Sequence, residues 1–207
     1  MDIIKKFLRL FWLNILWIIG CIPVITIGVS TCAAYAVTLR LADDDEEVQS
    51  CGGIARRFFK AYKQDLLQGI MILIFTVVTF GLGGYFIYLA WDSGLNIIKI
   101  GLLAGYFLVV LVFNFYSYPL IARYSNSFAN TLRNSVALFA QYANQSIKTL
   151  GLVILEAAVL ALSFKVYFAG ILILPSVIIY TISRTAKDVF FKMENPVPVE
   201  EEPAEIE

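Results

Sequence analysis

The chain has few side chains suited to chemistry, and one of them lies inside an apolar run. Glu156 is the only acidic residue within the run GLVILEAAVLAL. A charge in the lipid bilayer costs at least about 2.5 kcal/mol, so an acidic residue there often marks a functional site. Asn114, Lys148 or Lys165 could be its partner, or the carboxyl could be protonated. The alternative is a structural polar contact between helices, or a carboxylate close enough to the interface to stay hydrated.

A second candidate site is the break in the first apolar run, at CIPVITIGVS. Its residues of interest are Pro23, Thr26, Gly28 and Ser30. Proline removes a helix donor, and glycine frees the backbone. A broken membrane helix can present free backbone groups to a ligand, as in transporters. The alternative is a structural kink, or a re-entrant tip packed on the bundle.

The residue types present argue against an enzyme. The chain has no histidine, which removes histidine acid/base chemistry, Ser-His and Cys-His pairs, and imidazole metal sites. Cys21, Cys32 and Cys51 are an odd number without CxxC spacing, so they indicate neither a disulfide framework nor a zinc site. The acidic cluster at 43–47 lacks the spacing of a calcium loop. We therefore expect no catalytic residues, no cofactor and no metal.

Composition places the chain in a lipid bilayer. Of its 207 residues, 59% are hydrophobic and 15% charged, and the mean hydropathy is +0.77. Soluble domains have about 45–50% apolar and about 25% charged residues, and a chain this small cannot bury so much apolar surface in one aqueous core. The formal charge of zero suggests no nucleic-acid partner.

The hydropathy pattern predicts an all-α polytopic bundle in a membrane domain of residues 1–192. Four membrane helices are expected at about 66–91, 97–121, 149–164 and 166–183. Residues 127–147 alternate at helical spacing and predict an amphipathic helix at the interface or packed on the bundle. The tail at 193–207 is acidic and proline-rich, which is typical of disorder.

The segment 10–39 is expected to be broken at Pro23, either as a re-entrant hairpin or as one kinked crossing. The basic residues concentrate in alternate loops and orient four helices with the C-terminus in the cytoplasm. A single crossing by residues 10–39 would place Lys5, Lys6 and Arg9 outside, against that rule. A hairpin would keep them inside, so the hairpin is slightly favoured. Its arms of roughly 13 residues would reach only about 20 Å.

Residues 54–65 predict a basic amphipathic helix lying in the membrane interface. Its polar side carries Arg56, Arg57, Lys60 and Lys63. Each basic residue near an anionic surface contributes roughly 1 kcal/mol, so lipid binding and topology determination are the favoured role. Docking of a partner protein is the alternative.

Gly101 and Gly105 form a GxxxG motif within an apolar run. Small residues let membrane helices approach closely. Packing within the chain is the favoured use, and homo-oligomer formation is the alternative.

Three stretches resemble the YesL-like family of bacterial membrane proteins, a domain family of unknown function. The run LNILWIIGCIPVITIGVSTCAAYAVTLRL resembles the opening of that family. The matching elements are Asn14, Leu16-Trp17, Pro23, Thr26, Gly28, Ser30 and Ala34-Tyr35. RRFFKAYKQDLLQG resembles its basic helix, and YSYPLIARY resembles its aromatic-Pro-Arg exit from a membrane helix. The likeness covers roughly residues 8–190.

This resemblance implies a non-enzymatic accessory protein of the bacterial plasma membrane, because the family is associated with carbohydrate uptake and degradation. Subunits of a sugar importer are then the expected partners, beside the lipid bilayer. The resemblance supplies no catalytic residues. The alternative, favoured by Glu156 and the Pro23 break, is a small autonomous transporter or channel that could act as an oligomer.

Overall fold

The computed structural model describes residues 2–94, 96–166, 170 and 173–195, and every regular element in that part of the chain is helical. The all-α prediction is therefore confirmed. Short 3-10 turns cover Val24–Thr26 and Glu46–Val48. The α-helices are α1 (Asp2–Gly20), α2 (Ile27–Ala42), α3 (Cys51–Gln64), α4 (Leu66–Asp92), α5 (Ile97–Phe115), α6 (Ser117–Arg123), α7 (Phe128–Gln141), α8 (Ala143–Val166) and α9 (Leu174–Glu194).

Helices α1 and α2 form an antiparallel hairpin around the break at Pro23. At the open end, Lys6 Nζ lies 3.2 Å from Asp44 Oδ1. Near the tip, Trp17 Nε1 donates to Thr31 Oγ1 (3.2 Å). Of the two alternatives for residues 10–39, the structure has the hairpin geometry. Its arms are longer than expected, since α1 has 19 residues and α2 has 16.

Helix α2 is the centre of the bundle. It packs against α1, α3, α4, α6 and α9, and its alanines at 33, 34 and 36 are buried. Such small side chains let five neighbours approach one helix. Two polar contacts fix α9: Thr38 Oγ1 and Ser183 Oγ share a hydrogen bond of 2.6 Å, and Lys187 Nζ donates to Ala42 O (2.8 Å).

Helices α4 and α5 form a second hairpin, whose sides are mostly exposed. Thr76 Oγ1 donates to Asn114 Oδ1 (2.5 Å), and Tyr106 OH donates to Thr79 O (2.6 Å). These bonds satisfy the polar groups of the hairpin internally, as a lipid environment requires. Large apolar side chains turn outward, for example Trp91 (73% exposed) and Leu102 (70% exposed).

Four segments are long and apolar enough to cross a membrane: Val24–Ala42, Leu66–Asp92, Ile97–Arg123 and Ala143–Leu162. The first of them is α2 with its preceding turn, which the sequence suggested could enter but not span. Helix α9 is not among the spans found in the described residues. The span predicted at 166–183 lies partly outside those residues.

The boundary between α7 and α8 differs from the prediction. The amphipathic helix expected at 127–147 ends at Gln141, and α8 is continuous from Ala143 to Val166. Tyr142 breaks the helix, with φ −113° and ψ 37°. Lys148, which lies between the two predicted segments, is exposed on α8.

Helix α9 extends past residue 193, the predicted start of the acidic tail. Met193 and Glu194 belong to α9, and Glu194 Oε2 lies 2.8 Å from Arg123 Nη2. That ion pair holds the last helical turn against α6. Residues 196–207, the rest of the predicted tail, lie outside the described residues.

Candidate functional site

Charged side chains from several elements meet at the C-terminal end of α2, which we call the ionic end. Arg40 Nη1 lies 2.8 Å from Asp45 Oδ2 and 2.6 Å from Glu47 Oε2. Lys187 Nζ lies 3.1 Å from Asp43 Oδ1. These side chains are partly exposed, so water screens each pair and each stabilises the fold only weakly. Together they align the ends of α2 and α9 with the loop before α3.

The apolar side of helix α3 packs on the bundle, and its position in the membrane interface stays a prediction. Its apolar residues Ile54, Phe58 and Ala61 are buried. Trp12 Nε1 donates to Cys51 O at one end (3.1 Å), and Tyr62 OH donates to Gly20 O at the other (3.3 Å). The apolar side of α3 is thus covered by protein, because α1 and α2 already offer it a complementary surface.

The four basic residues of α3 do not share one environment. Arg56, Lys60 and Lys63 are exposed, whereas Arg57 is half-buried. Arg57 lines a cleft of about 330 Å³ between α2, α3 and α6. We call it the arginine cleft: Arg40, Arg57 and Arg123 line it together with Asp43, Asp45, Ala36, Leu39 and Ala122.

The surroundings of the arginine cleft shift the pKa values of Arg57 and Asp45 for different reasons. Burial, and then the positive charge of Arg40, lower the pKa of Arg57. A hydrogen bond from the Glu47 N–H is the main cause of the lowered pKa of Asp45, and Arg40 adds to it. The Asp45 carboxyl is therefore stabilised in its ionised form. At Arg57, burial and Arg40 outweigh the favourable charges of Glu47, Asp65 and Asp45.

The turn around Pro23 is closed by its own residues. Thr26 Oγ1 lies 2.8 Å from Gly20 O and 2.6 Å from Pro23 O, so its hydroxyl bridges the end of α1 to the turn. Ser30 is fully buried, and a Cβ on Gly20 would lie 2.2 Å from its Oγ. The Thr26 contacts favour the structural interpretation of the break, whereas Ser30 Oγ is buried without a hydrogen-bond partner among the described residues.

Gly28 has a packing role that its place in the break did not reveal. A Cβ on Gly28 would lie 2.1 Å from Gly69 O, and a Cβ on Gly69 would lie 2.6 Å from Val29 Cα. The backbones of α2 and α4 therefore touch at these two glycines. Sequence reasoning did not single out Gly69, although it is the last residue of the family-like stretch RRFFKAYKQDLLQG.

Glu156 meets Thr181, a residue that the sequence did not indicate. Thr181 Oγ1 donates to Glu156 Oε1 (2.8 Å), whereas Glu156 Oε2 is buried and has no hydrogen-bond partner among the described residues. Two suggested partners are elsewhere, since Asn114 bonds to Thr76 and Val110 and Lys148 is exposed two helical turns away. The side chain of Lys165 lies outside the described residues.

The GxxxG glycines do not pack within the described chain, which corrects the favoured interpretation. A Cβ on Gly101 or Gly105 would meet no atom within 4 Å. The contact between α4 and α5 uses Gly83 instead, where a Cβ would lie 2.7 Å from Phe107 Cζ. Gly101 and Gly105 therefore face outward.

Asp65, between α3 and α4, is a further residue of interest. Burial raises the pKa of its carboxyl to about 6, against the opposing charge of Arg57. In the sequence it interrupts the apolar side of the basic helix. Among the described residues, no three His, Cys, Asp or Glu side chains lie close enough together to hold a metal ion.

Comparison with known proteins bears on the first part of the chain. Residues 10–89 match the model of the family described as a protein of unknown function, DUF624. This match confirms the resemblance to the YesL-like family from α1 into α4. The similarity suggested at 116–124 lies beyond the matched residues. No curated protein and no solved structure matches the chain.

Proposed function

We propose that the protein is a non-enzymatic accessory protein of the bacterial plasma membrane that associates with a carbohydrate importer. The outward surface of the α4–α5 hairpin carries this proposal. Its side chains are apolar and mostly exposed, and Gly101 and Gly105 leave room beside α5. A neighbouring membrane helix can approach closely at such positions.

The carbohydrate importer enters the proposal through the resemblance. Residues 10–89 match a family of unknown function, and YesL-like proteins are associated with carbohydrate uptake and degradation. The positive-inside rule supports a cytoplasmic ionic end and C-terminus, because the basic residues concentrate in the loops and flanks at that end.

The experiment is mass spectrometry of proteins that co-purify with a C-terminally tagged chain from native membranes in mild detergent. We expect importer permease or ATPase subunits, enriched over an unrelated membrane protein. A Gly101→Leu/Gly105→Leu variant should lose that enrichment, since leucines would fill the space beside α5. Gly151→Leu is the matched control, because Gly151 on α8 also faces open space. Repeated absence of importer subunits at native expression would contradict the proposal.

A small autonomous transporter or channel is the second candidate, and Glu156 favours it. A buried carboxylate oxygen without a hydrogen-bond partner in the described chain is a feature of ion and proton pathways. Purified protein in proteoliposomes would then carry sugar or ion flux, and Glu156→Gln would abolish it while Lys148→Gln would not. Absence of flux, or an unchanged Glu156→Gln variant, would count against this function.

A further inference from the structure

The three arginines of the arginine cleft differ in what neutralises them. Arg40 pairs with Asp45 and Glu47, and Arg123 pairs with Glu194. Arg57 forms no ion pair with any residue that the structure describes, and its Nε is buried without a hydrogen-bond partner there. Glu47, Asp65 and Asp45 act favourably on its charge from a distance, but its buried Nε–H remains a donor that a ligand oxygen could accept from.

We propose that the arginine cleft binds a phosphate-class oxyanion, and that Arg57 is the main residue that holds it. The planar guanidinium presents paired N–H donors that match two oxygens of a phosphate. The cleft volume of about 330 Å³ is within the roughly 300–1,000 Å³ of ligand pockets. This inference stands independently of the proposed importer partner.

Each of the two acidic residues that line the cleft has a basic partner, although Arg40 is shared between Asp45 and Glu47. Asp43 pairs with Lys187. Asp45 pairs with Arg40 and accepts the Glu47 N–H (2.9 Å). Burial and the charge of Arg40 lower the pKa of Arg57, while Glu47, Asp65 and Asp45 act in the opposite direction. A bound anion would offset the repulsion from Arg40.

The position of the cleft indicates where such an anion would come from. Two candidate spans, Val24–Ala42 and Ile97–Arg123, end beside it, so it lies at the depth where a bilayer meets water. Lipid phosphates occupy that depth, and free phosphate or a phosphorylated solute reaches it from water. Both sources present the same oxygens to Arg57.

The test uses the delipidated full-length chain in a non-ionic detergent, with two probes. Native mass spectrometry measures binding of phosphatidylglycerol against phosphatidylcholine. Thermal unfolding measures the effect of inorganic phosphate against chloride at equal ionic strength. The variants are Arg57→Gln and Arg57→Lys, with Lys60→Gln as the control that removes one exposed charge from the same helix.

We expect the wild type to bind one molecule of at least one probe. Arg57→Gln should lower the affinity for that probe by at least about tenfold, because it removes a charge-assisted pair of hydrogen bonds. Lys60→Gln should stay within about twofold of the wild type, as for an exposed charge. A response to phosphatidylglycerol alone assigns the site to a lipid headgroup, and a response to inorganic phosphate assigns it to a free anion.

Two results would overturn the proposal. One is that neither probe binds the wild type above its comparison compound. The other is that Arg57→Gln binds as the wild type does. If Arg57→Gln fails to fold, Arg57→Lys decides the matter, because it keeps the charge and loses the paired donors. Wild-type affinity in Arg57→Lys would then overturn the proposal.

Discussion

Asp65 is a carboxyl whose burial opposes its ionisation. It lies at the junction of α3 and α4, where burial raises its pKa from 3.8 to about 6 while the charge of Arg57 acts in the opposite direction. Between these two pH values the folded protein binds more protons than the unfolded chain. Stability therefore falls as the pH rises through this window, and the penalty is complete above pH 6.

Replacing Asp65 with asparagine should remove this penalty. We expect Asp65→Asn to unfold at a higher temperature than the wild type at pH 7.5, and the difference to shrink towards pH 4.5, where the wild-type carboxyl is largely protonated. Thermal unfolding in detergent across that pH range measures it. Asp92→Asn, at an exposed position, is the control and should show no such convergence. An equal difference at both pH values would contradict the expectation.

At the scale of elements, the contact between α2 and α4 depends on Gly69. A Cβ there would lie 2.6 Å from Val29 Cα, which is backbone and cannot rotate away. We expect Gly69→Ala to destabilise the protein by about 1–3 kcal/mol, the usual cost of overpacking. Chemical or thermal unfolding in detergent measures the change.

Gly84→Ala is the matched control on the same helix, because a Cβ on Gly84 would meet nothing within 4 Å. Alanine is the better helix former by about 0.5–1 kcal/mol, so this variant should be neutral or slightly stabilised. Equal destabilisation by both variants would mean that loss of glycine, rather than the close approach of α2 and α4, sets the effect.

The elements were predictable where the signal is local. The proline and glycine of CIPVITIGVS predict a break, and α1 does end before Pro23. The apolar periodicity of residues 54–65 predicts a helix, and Phe58 is indeed on its buried side. The pattern does not distinguish lipid from protein as the cover of that side, because either one removes its apolar surface from water.

The site was less predictable because its contacts join distant residues. Glu156 stood out by its place in an apolar run, but its partner Thr181 lies 25 residues away. Arg57 belongs to a row of basic residues, and a helical wheel places all four on the polar side. The cleft that Arg57 lines forms because α6 packs beside α2, and this contact between distant segments is not visible in the sequence.

For the whole molecule, ion pairs and helix lengths define two ends. Lys6 with Asp44, Lys187 with Asp43 and Arg123 with Glu194 bring distant segments together at the ionic end. Gln68 Nε2 donates to Asn126 O (2.5 Å), so α4 begins beside the α6–α7 loop. Its 27 residues then extend about 40 Å to the turn before α5. The basic residues concentrate in segment 40–65 and are few in the turn at 92–99, so Cys51 and Ser93 should lie on opposite sides of the membrane.

Labelling with a membrane-impermeant maleimide tests this arrangement. One variant keeps Cys51 and carries Cys21→Ala and Cys32→Ala; the other adds Cys51→Ser and Ser93→Cys. With the basic loops inside, we expect intact cells to label the Ser93→Cys variant alone and permeabilised cells to label both. If intact cells label the Cys51 variant alone, the orientation in the membrane is the reverse of the expected one. Labelling of both variants in intact cells would place both residues outside, and α4 could not then be a single crossing.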